Sequence, residues 1–447
     1  MTPSARVNAT IEILEKARDS NFNIDKVILS YFRKRRFAGS KDRAFITERV
    51  YYLIRNQIKI NWWLKKLGVE ASPRSRVLAG LAFSNEGSKE ENEGSKEEIE
   101  NLFSDRQHSA SELNDVEREI LKQLESKALV AEEMPDNIKS ECPDWIAEKL
   151  QPIYKTELKS YMEALNREAS FDLRLNILKR PDRERAQRSL EKQGLLTEIM
   201  PYSPFGLRAQ TRQRINGTKF FKSGLVEIQD EGAQLAALLV GAAPGMQVAD
   251  FCAGSGGKTL VMGGLMQNTG RIVAMDVSQK RLEQAGIRIS RGGLHNVERK
   301  LINDENDKKL KRLAKKFDRV LVDAPCTGIG TWRRDPDTRL RYSAVDLENM
   351  ISLQDQILTS AARLTKPGGR LIYVTCSLFL EENEDRIAAL LSRRKDYEML
   401  PISEIWSQEI TARGGGACPT ESDVLRLTPK EHNTDGFFAA VLQRNMN

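Results

Sequence analysis

Along the first eighty residues, apolar positions recur at three- and four-residue spacing with no alternating stretch between them. Thr2-Pro3 forms an N-cap and first-turn pair, and Val7, Ile11 and Leu14 follow on one helical face. Similar patterning over 25–32, 42–59, 62–67 and 113–124 predicts an all-helical N-terminal segment, with a connection over 134–145. The pattern changes at 171–178 (Phe-Asp-Leu-Arg-Leu-Asn-Ile-Leu), which alternates as a strand. Pro181-Asp182 then opens a helix over 183–193, and 195–200 reads as a second strand, giving a small α/β subdomain. From Val248 onward, short apolar strands at 247–251, 271–275, 299–302, 318–322, 370–375 and 437–442 alternate with helices. That order predicts a parallel α/β sheet with ligands at the carboxyl ends of its strands.

Composition divides the chain further. Residues 84–112 turn to Glu, Ser, Lys, Asn and Gly, and Glu-Gly-Ser-Lys-Glu-Glu occurs at 86–91 and again at 93–98, so an acidic mobile loop inserted between helices is expected. The expected division is 1–145, helical with that insertion; 146–227, small α/β; and 228–447, catalytic. The formal charge is +7 over 447 residues. The basic residues gather in two segments. One contains Arg33, Lys34, Arg35, Arg36, Lys41, Arg43, Arg49, Arg55, Lys59, Lys65 and Lys66. The other contains Arg174, Lys179, Arg180, Arg183, Arg185, Arg188, Lys192, Arg208, Arg212, Arg214, Lys219 and Lys222. The first fits either a solvated surface or an RNA-facing patch; the two together favour a nucleic-acid track.

Five scattered cysteines without a C-x-x-C pair, and only three histidines, give no basis for a metal site. With no apolar leader and no run long enough for a membrane span, a cytoplasmic protein with reduced thiols is expected, without membrane attachment and monomeric.

The first catalytic-domain strand runs into Asp250-Phe-Cys-Ala-Gly-Ser-Gly-Gly-Lys-Thr259. Its glycines permit a tight turn and close backbone approach, and the following helix start offers free N–H groups to an anion. The spacing is neither G-x-G-x-x-G nor a P-loop, because Cys252 stands where a P-loop requires glycine. Asp276 ends the second strand, where it suits ribose hydroxyls or a helix cap, and Asp304 follows the third, where it suits an adenine amino group. A glycine loop followed by strand-end acids points to an adenosyl ligand without phosphates, and S-adenosylmethionine fits best.

The fourth strand ends Asp323-Ala-Pro-Cys326-Thr-Gly and the fifth Thr375-Cys376-Ser377. If these strands are neighbours, both thiols face one crevice. Cytosine carbon 5 becomes nucleophilic only after a thiolate adds to carbon 6, which gives paired thiols beside a methyl donor a chemical purpose. Asp323 is placed to bond the base edge and stabilise the protonated ring nitrogen. Cys142, Cys252 and Cys418 read as small buried hydrophobes.

These motifs, with Glu-Glu-Asn at 381–383 and Asp-Gly-Phe-Phe at 435–438, resemble the RNA cytosine-5 methyltransferase family (RsmB/NOP) over 228–444. The helical N-terminus resembles more loosely the NusB-like RNA-binding domain of its RsmB branch, which acts on 16S ribosomal RNA. The resemblance implies a Rossmann-like class I methyltransferase domain, an all-α NusB-like N-terminal domain and a small α+β linking subdomain. It further implies that Cys376 attacks and Cys326 promotes release. Cofactor contacts would lie at Cys252, Ala253, Gly254, Ser255, Gly256, Gly257, Lys258, Asp276, Asp304 and Asp323. Many relatives read Cys-Ala-Ala-Pro-Gly-Gly-Lys where this chain has Cys-Ala-Gly-Ser-Gly-Gly-Lys, a more flexible loop. DNA cytosine-5 methyltransferases attack from a Pro-Cys motif, so the opposite order of the cysteines is the competing assignment. A tRNA methyltransferase, or an assembly factor with a non-catalytic methyltransferase scaffold, are the competing functions.

Overall fold

The computed structural model describes residues 1–20, 23–83, 96–104, 107–179 and 182–446. It divides into two compact units, 1–167 with 334–341 and 168–333 with 342–447.

Among the described residues the first unit is built from helices. Thr2 caps the first helix, Pro3–Arg18, accepting from the Ala5 N–H, as the sequence predicts. The helix expected over 42–59 is two, Ser40–Arg55 and Gln57–Lys66, separated at Asn56, whose own side-chain amide bonds back to the Tyr52 carbonyl. Of the acidic insertion, 84–95 and 105–106 lie outside the described residues. The rest is not the loop expected: Lys96–Asn101 is helical, and Ile99, Phe103 and Ala110 join the apolar core, which supplies the burial needed for order. Residues 334–341 belong to this unit through Arg339, whose buried guanidinium bonds the Ile54 carbonyl at 2.5 Å, the Asn166 amide oxygen at 2.8 Å and Glu141 at 3.1 Å. Glu141 also accepts the Ile58 and Lys59 N–H groups at the start of Gln57–Lys66, so both its oxygens are satisfied, while Arg339 Nε has no partner among the described residues.

The second unit holds two sheets. The smaller has order β2-β3-β1-β4 and is antiparallel: β1 (Phe171–Leu175), β2 (Thr197–Ile199), β3 (Gly206–Ala209) and β4 (Val226–Ile228). The strand expected over 171–178 stops at Leu175, where Asn176 leaves the ladder to bond the Gly224 and Gly292 carbonyls. The larger sheet contains β5 (Gln247–Phe251), β6 (Arg271–Asp276), β7 (Val297–Leu301), β8 (Phe317–Asp323), β9 (Thr365–Thr375), β10 (Tyr397–Leu400), β11 (Leu425–Leu427) and β12 (Phe437–Arg444). Its order is β10-β12-β9-β8-β5-β6-β7, with β11 also on β12. β5 to β9 are parallel, but β10, β11 and β12 pair antiparallel, so the sheet is mixed, not purely parallel as its apolar runs suggested. A buried antiparallel strand such as β12, flanked by β10 and β9, is as uniformly apolar as a parallel one, and the two cannot be told apart by pattern. The order reverses between β5 and β8, and crevices outside the strand ends at such a point bind ligands.

Candidate active site

The β5 strand leads through residues 252–256 into the helix Gly257–Leu265. Gly254 and Gly256 have φ of 56° and 80°, conformations that favour glycine, and Cys252 adopts 71° despite its side chain. Asp276, buried at the end of β6, anchors this turn: one oxygen accepts the Gly254 N–H at 2.9 Å and the other the Ser278 N–H at 2.7 Å. The helix Gln279–Gly292 is capped by Ser278, so Asp276 is not its cap. A Cβ on Gly254 would meet nothing within 4 Å, so space is open over the turn. Below it, Asp250 is buried; one oxygen accepts the Thr259 hydroxyl at 2.6 Å, and the other has no partner. Burial pushes this carboxyl up to about 7. Open space over the turn and an anchored acid beside it fit the adenosyl part of S-adenosylmethionine. Asp304 lies three residues beyond β7, exposed, with one oxygen accepting the Asn306 N–H in a local turn.

β8 and β9 are neighbours, with Asp323 opposite Val374, and so deliver both strand-end cysteines to one place. The Cys326 and Cys376 sulfurs are 3.3 Å apart. Lys258, in the first turn of the helix Gly257–Leu265, pairs with Asp323 at 2.7 Å and lies 5.5 Å from the Phe437 ring centre. Burial opposes its charge, but Asp323, Cys376 and Asp250 together raise it above the ordinary lysine value. The Cys326 thiol is pushed well above the usual range by its hydrogen bond with Cys376, then by burial and by the charges of Cys376 and Glu382.

The segments carrying the thiols are held by residues to which the sequence pattern assigns no role. Glu382 is fully buried and accepts the Thr327 N–H (2.9 Å), the Thr327 hydroxyl (2.5 Å) and the Gln354 amide (2.9 Å). Gln354 also holds the Pro325 carbonyl at 2.9 Å. Asn383 accepts from the Thr375 hydroxyl at 2.5 Å and donates to the Ser377 carbonyl at 3.0 Å, bracketing Cys376. Glu-Glu-Asn and Asp-Gly stand out in the sequence as motifs; Gln354 carries no local signal, being one polar residue on a long helix. Gly436 donates to the Gly330 carbonyl (2.8 Å), and Gly330 to the Cys376 carbonyl (2.9 Å). A Cβ on Gly330 would lie 2.4 Å from the Gly436 oxygen, so only glycine lets these three backbones meet.

Several basic residues assigned by sequence to a nucleic-acid track are committed elsewhere. Arg174 is buried on β1 against Gln229, Arg208 pairs with Asp172 at 2.8 Å, and Lys59 is buried near Glu141. Arg185, Arg188, Lys192, Arg212, Arg214, Lys219 and Lys222 remain wholly or partly exposed. No helix among the described residues is long and apolar enough to cross a membrane.

A family model described as 16S rRNA methyltransferase RsmB/F matches residues 237–443, and one for the RsmF/B-like ferredoxin-like domain matches 142–216. The chain is 30% identical over 419 residues to a probable ribosomal RNA small subunit methyltransferase B of Synechocystis, covering 90% of this chain and 91% of that protein. It is also 30% identical to the human 28S rRNA (cytosine(4447)-C(5))-methyltransferase, over 68% of this chain and 38% of that one. A methyltransferase homologue from Pyrococcus horikoshii superposes with a TM-score of 0.58 at 28% identity, over 69% of this chain and 97% of that structure. The glycine turn, the strand-end thiols and these similarities agree: the chain belongs to the 16S rRNA methyltransferase RsmB/F family, S-adenosylmethionine-dependent enzymes that methylate RNA cytosine at carbon 5.

Proposed function

We propose that the chain methylates one cytosine of 16S ribosomal RNA, with Cys376 as the attacking thiolate and Cys326 as the thiol that assists its departure. The observation carrying this order is the setting of the Cys326 thiol. Cys326 shares a hydrogen bond with Cys376 and is buried near the Glu382 carboxylate, and these push its thiol up so that it keeps its proton. A thiolate is the nucleophilic form, so the thiol held protonated is the one that assists and its neighbour the one that attacks.

Cys376 adds to carbon 6 of the cytosine, and the electron pair freed in the ring makes carbon 5 nucleophilic. S-adenosylmethionine, when bound along Cys252–Lys258 with Asp276, supplies the electrophilic methyl group. Asp323, held by Lys258, faces the base edge and stabilises the protonated ring nitrogen. Water takes the carbon 5 proton, the freed electron pair restores the ring double bond, and the carbon–sulfur bond breaks with Cys376 leaving as thiolate. The Cys326 S–H, 3.3 Å away, donates a hydrogen bond to that departing sulfur and stabilises it. Asp304 retains exposed acceptor capacity suited to the adenine amino group.

We read residues 1–145 as a NusB-like RNA-binding domain, 146–227 as a small RNA-binding subdomain and 228–447 as the catalytic domain of a cytoplasmic monomer. Exposed Arg33, Lys34, Arg36 and Lys41 around Phe37, itself 75% exposed, support an RNA-facing role for the first part. Bisulfite sequencing of ribosomal and transfer RNA from cells with and without the gene tests the substrate. Loss of one 16S signal is expected; loss confined to transfer RNA would overturn it.

A further inference from the structure

The cofactor loop is fastened from two sides. Asp276 holds the Gly254 N–H from β6. From the helix Gln279–Gly292, Arg288 donates Nη1 to the Ser255 carbonyl at 3.1 Å and to the Ser255 hydroxyl at 2.9 Å. The same guanidinium lies against the first turn of the next helix: a Cβ on Gly257 would stand 3.7 Å from each of its terminal nitrogens.

Arg288 is itself held in place. Its Nε and Nη2 reach one oxygen of Glu227 at 3.3 and 3.1 Å. Arg291 pairs with the other oxygen and lies 3.9 Å over the Phe221 ring. Glu227 is buried on β4, where its ladder partner is Arg174 of β1. A planar guanidinium with both edges used, one on a fixed carboxylate and one on the loop, has little freedom left.

Gly254 and Gly256 carry no side chains that could pack the turn into one shape, and glycine loses the most backbone freedom on ordering. A loop ordered before the ligand arrives binds more tightly because that entropy is already lost. We propose that Arg288, fixed by Glu227, is a positioning residue that pre-orders the Gly254-Ser255-Gly256 turn and so sets the affinity for S-adenosylmethionine without touching the reacting atoms. This inference rests on the reading of Cys252–Lys258 as the cofactor loop.

The test uses the full chain and two titrations, S-adenosylhomocysteine binding by calorimetry and steady-state methylation of 16S RNA. Arg288→Ala is expected to raise both the Kd for S-adenosylhomocysteine and the KM for S-adenosylmethionine roughly tenfold, with kcat and the KM for RNA within about twofold. Arg288→Lys, a point charge reaching one Ser255 oxygen, recovers part of that loss. Ser255→Ala removes only the hydroxyl acceptor, so its effect is smaller, and Arg288→Ala costs less on that background than alone. This cycle stands even if Arg288→Ala lowers thermal stability.

An unchanged Kd in Arg288→Ala overturns the proposal. So does a raised KM for RNA with the cofactor constants unchanged, which would make Arg288 an RNA contact in the cavity of about 390 Å³ that it lines with Ser255, Gln284 and Ile287. Asp276→Ala separates the two levels of inference. If it loses S-adenosylhomocysteine binding and Arg288→Ala does not, the loop stands and the clamp fails. If neither loses binding, residues 252–258 are not the cofactor loop.

Discussion

The Cys326 and Cys376 sulfurs lie 3.3 Å apart, and the buried Glu382 near Cys326 is what the proposed division of labour between them rests on. Glu382→Gln removes the charge that keeps Cys326 protonated. The expected result is a release step slowed by about tenfold, with covalent RNA–protein adduct detectable by denaturing electrophoresis; attack itself is retained. Asp323→Asn leaves Lys258 without its partner and weakens charge stabilisation at the base, so kcat should fall by roughly 10²-fold or more, read in single-turnover methyl transfer. Asp250 gives a pH signature. Its folded carboxyl sits at about 7, above the ordinary aspartate value, so the stability it contributes is full in acid and lost as pH rises through 7. Asp250→Asn has no such proton to lose. The melting temperature of the variant relative to wild type should therefore climb between pH 5 and pH 8; a constant difference would contradict the buried-acid account. At this scale the sequence showed both thiols and Asp323, because reactive residues at strand ends keep local motifs. Glu382, Gln354 and Arg288 were not legible as partners, since the hydrogen bonds that tie them to the site join residues 28 to 61 positions apart.

The elements place these residues through backbone approach more than through side chains. The Gly330 and Gly436 approach joins the segment after β8, the end of β9 and the start of β12 into one support for Cys376. Gly330→Ala would force a Cβ to within 2.4 Å of a carbonyl oxygen and 2.8 Å of the Cys376 carbonyl. A stability loss on the order of 1–3 kcal/mol in urea unfolding, with a larger fall in kcat than in cofactor affinity, is expected. Strands β5, β6 and β8 were readable because each is a short buried run bounded by turns or helices, whereas β7 is largely exposed or half-buried and β9 begins before the expected 370–375. β2 falls inside the strand expected over 195–200, but β3 and β4 were not readable, being four and three residues long and ordered by pairing with β1. The antiparallel edge was also hidden, because Phe437–Arg444 is buried on both faces and alternation, the usual mark of an antiparallel strand, is absent.

For the whole molecule, net charge overstated the surface available to RNA. Arg174, Arg208, Arg339 and Lys59 serve internal networks, so their substitution should lower stability. Arg185, Arg188, Lys219 and Lys222 reach solvent on the second unit, and alanine there should weaken RNA binding at low salt. Measured against salt concentration, the slope of log K should shrink by about 0.7 for each RNA phosphate that is no longer neutralised, with the fold unchanged by circular dichroism. The sequence placed the charges along the chain, but which of them face water depends on long-range packing that no local pattern records.

The division of labour between the two cysteines is tested most directly by trapping. Purified Cys326→Ala and Cys376→Ala are each incubated with S-adenosylmethionine and labelled 16S RNA, then resolved under denaturing conditions. Cys326→Ala should accumulate an RNA adduct that thiol-directed elimination does not quickly clear, and Cys376→Ala should form none. An adduct on Cys376→Ala and none on Cys326→Ala would contradict the account.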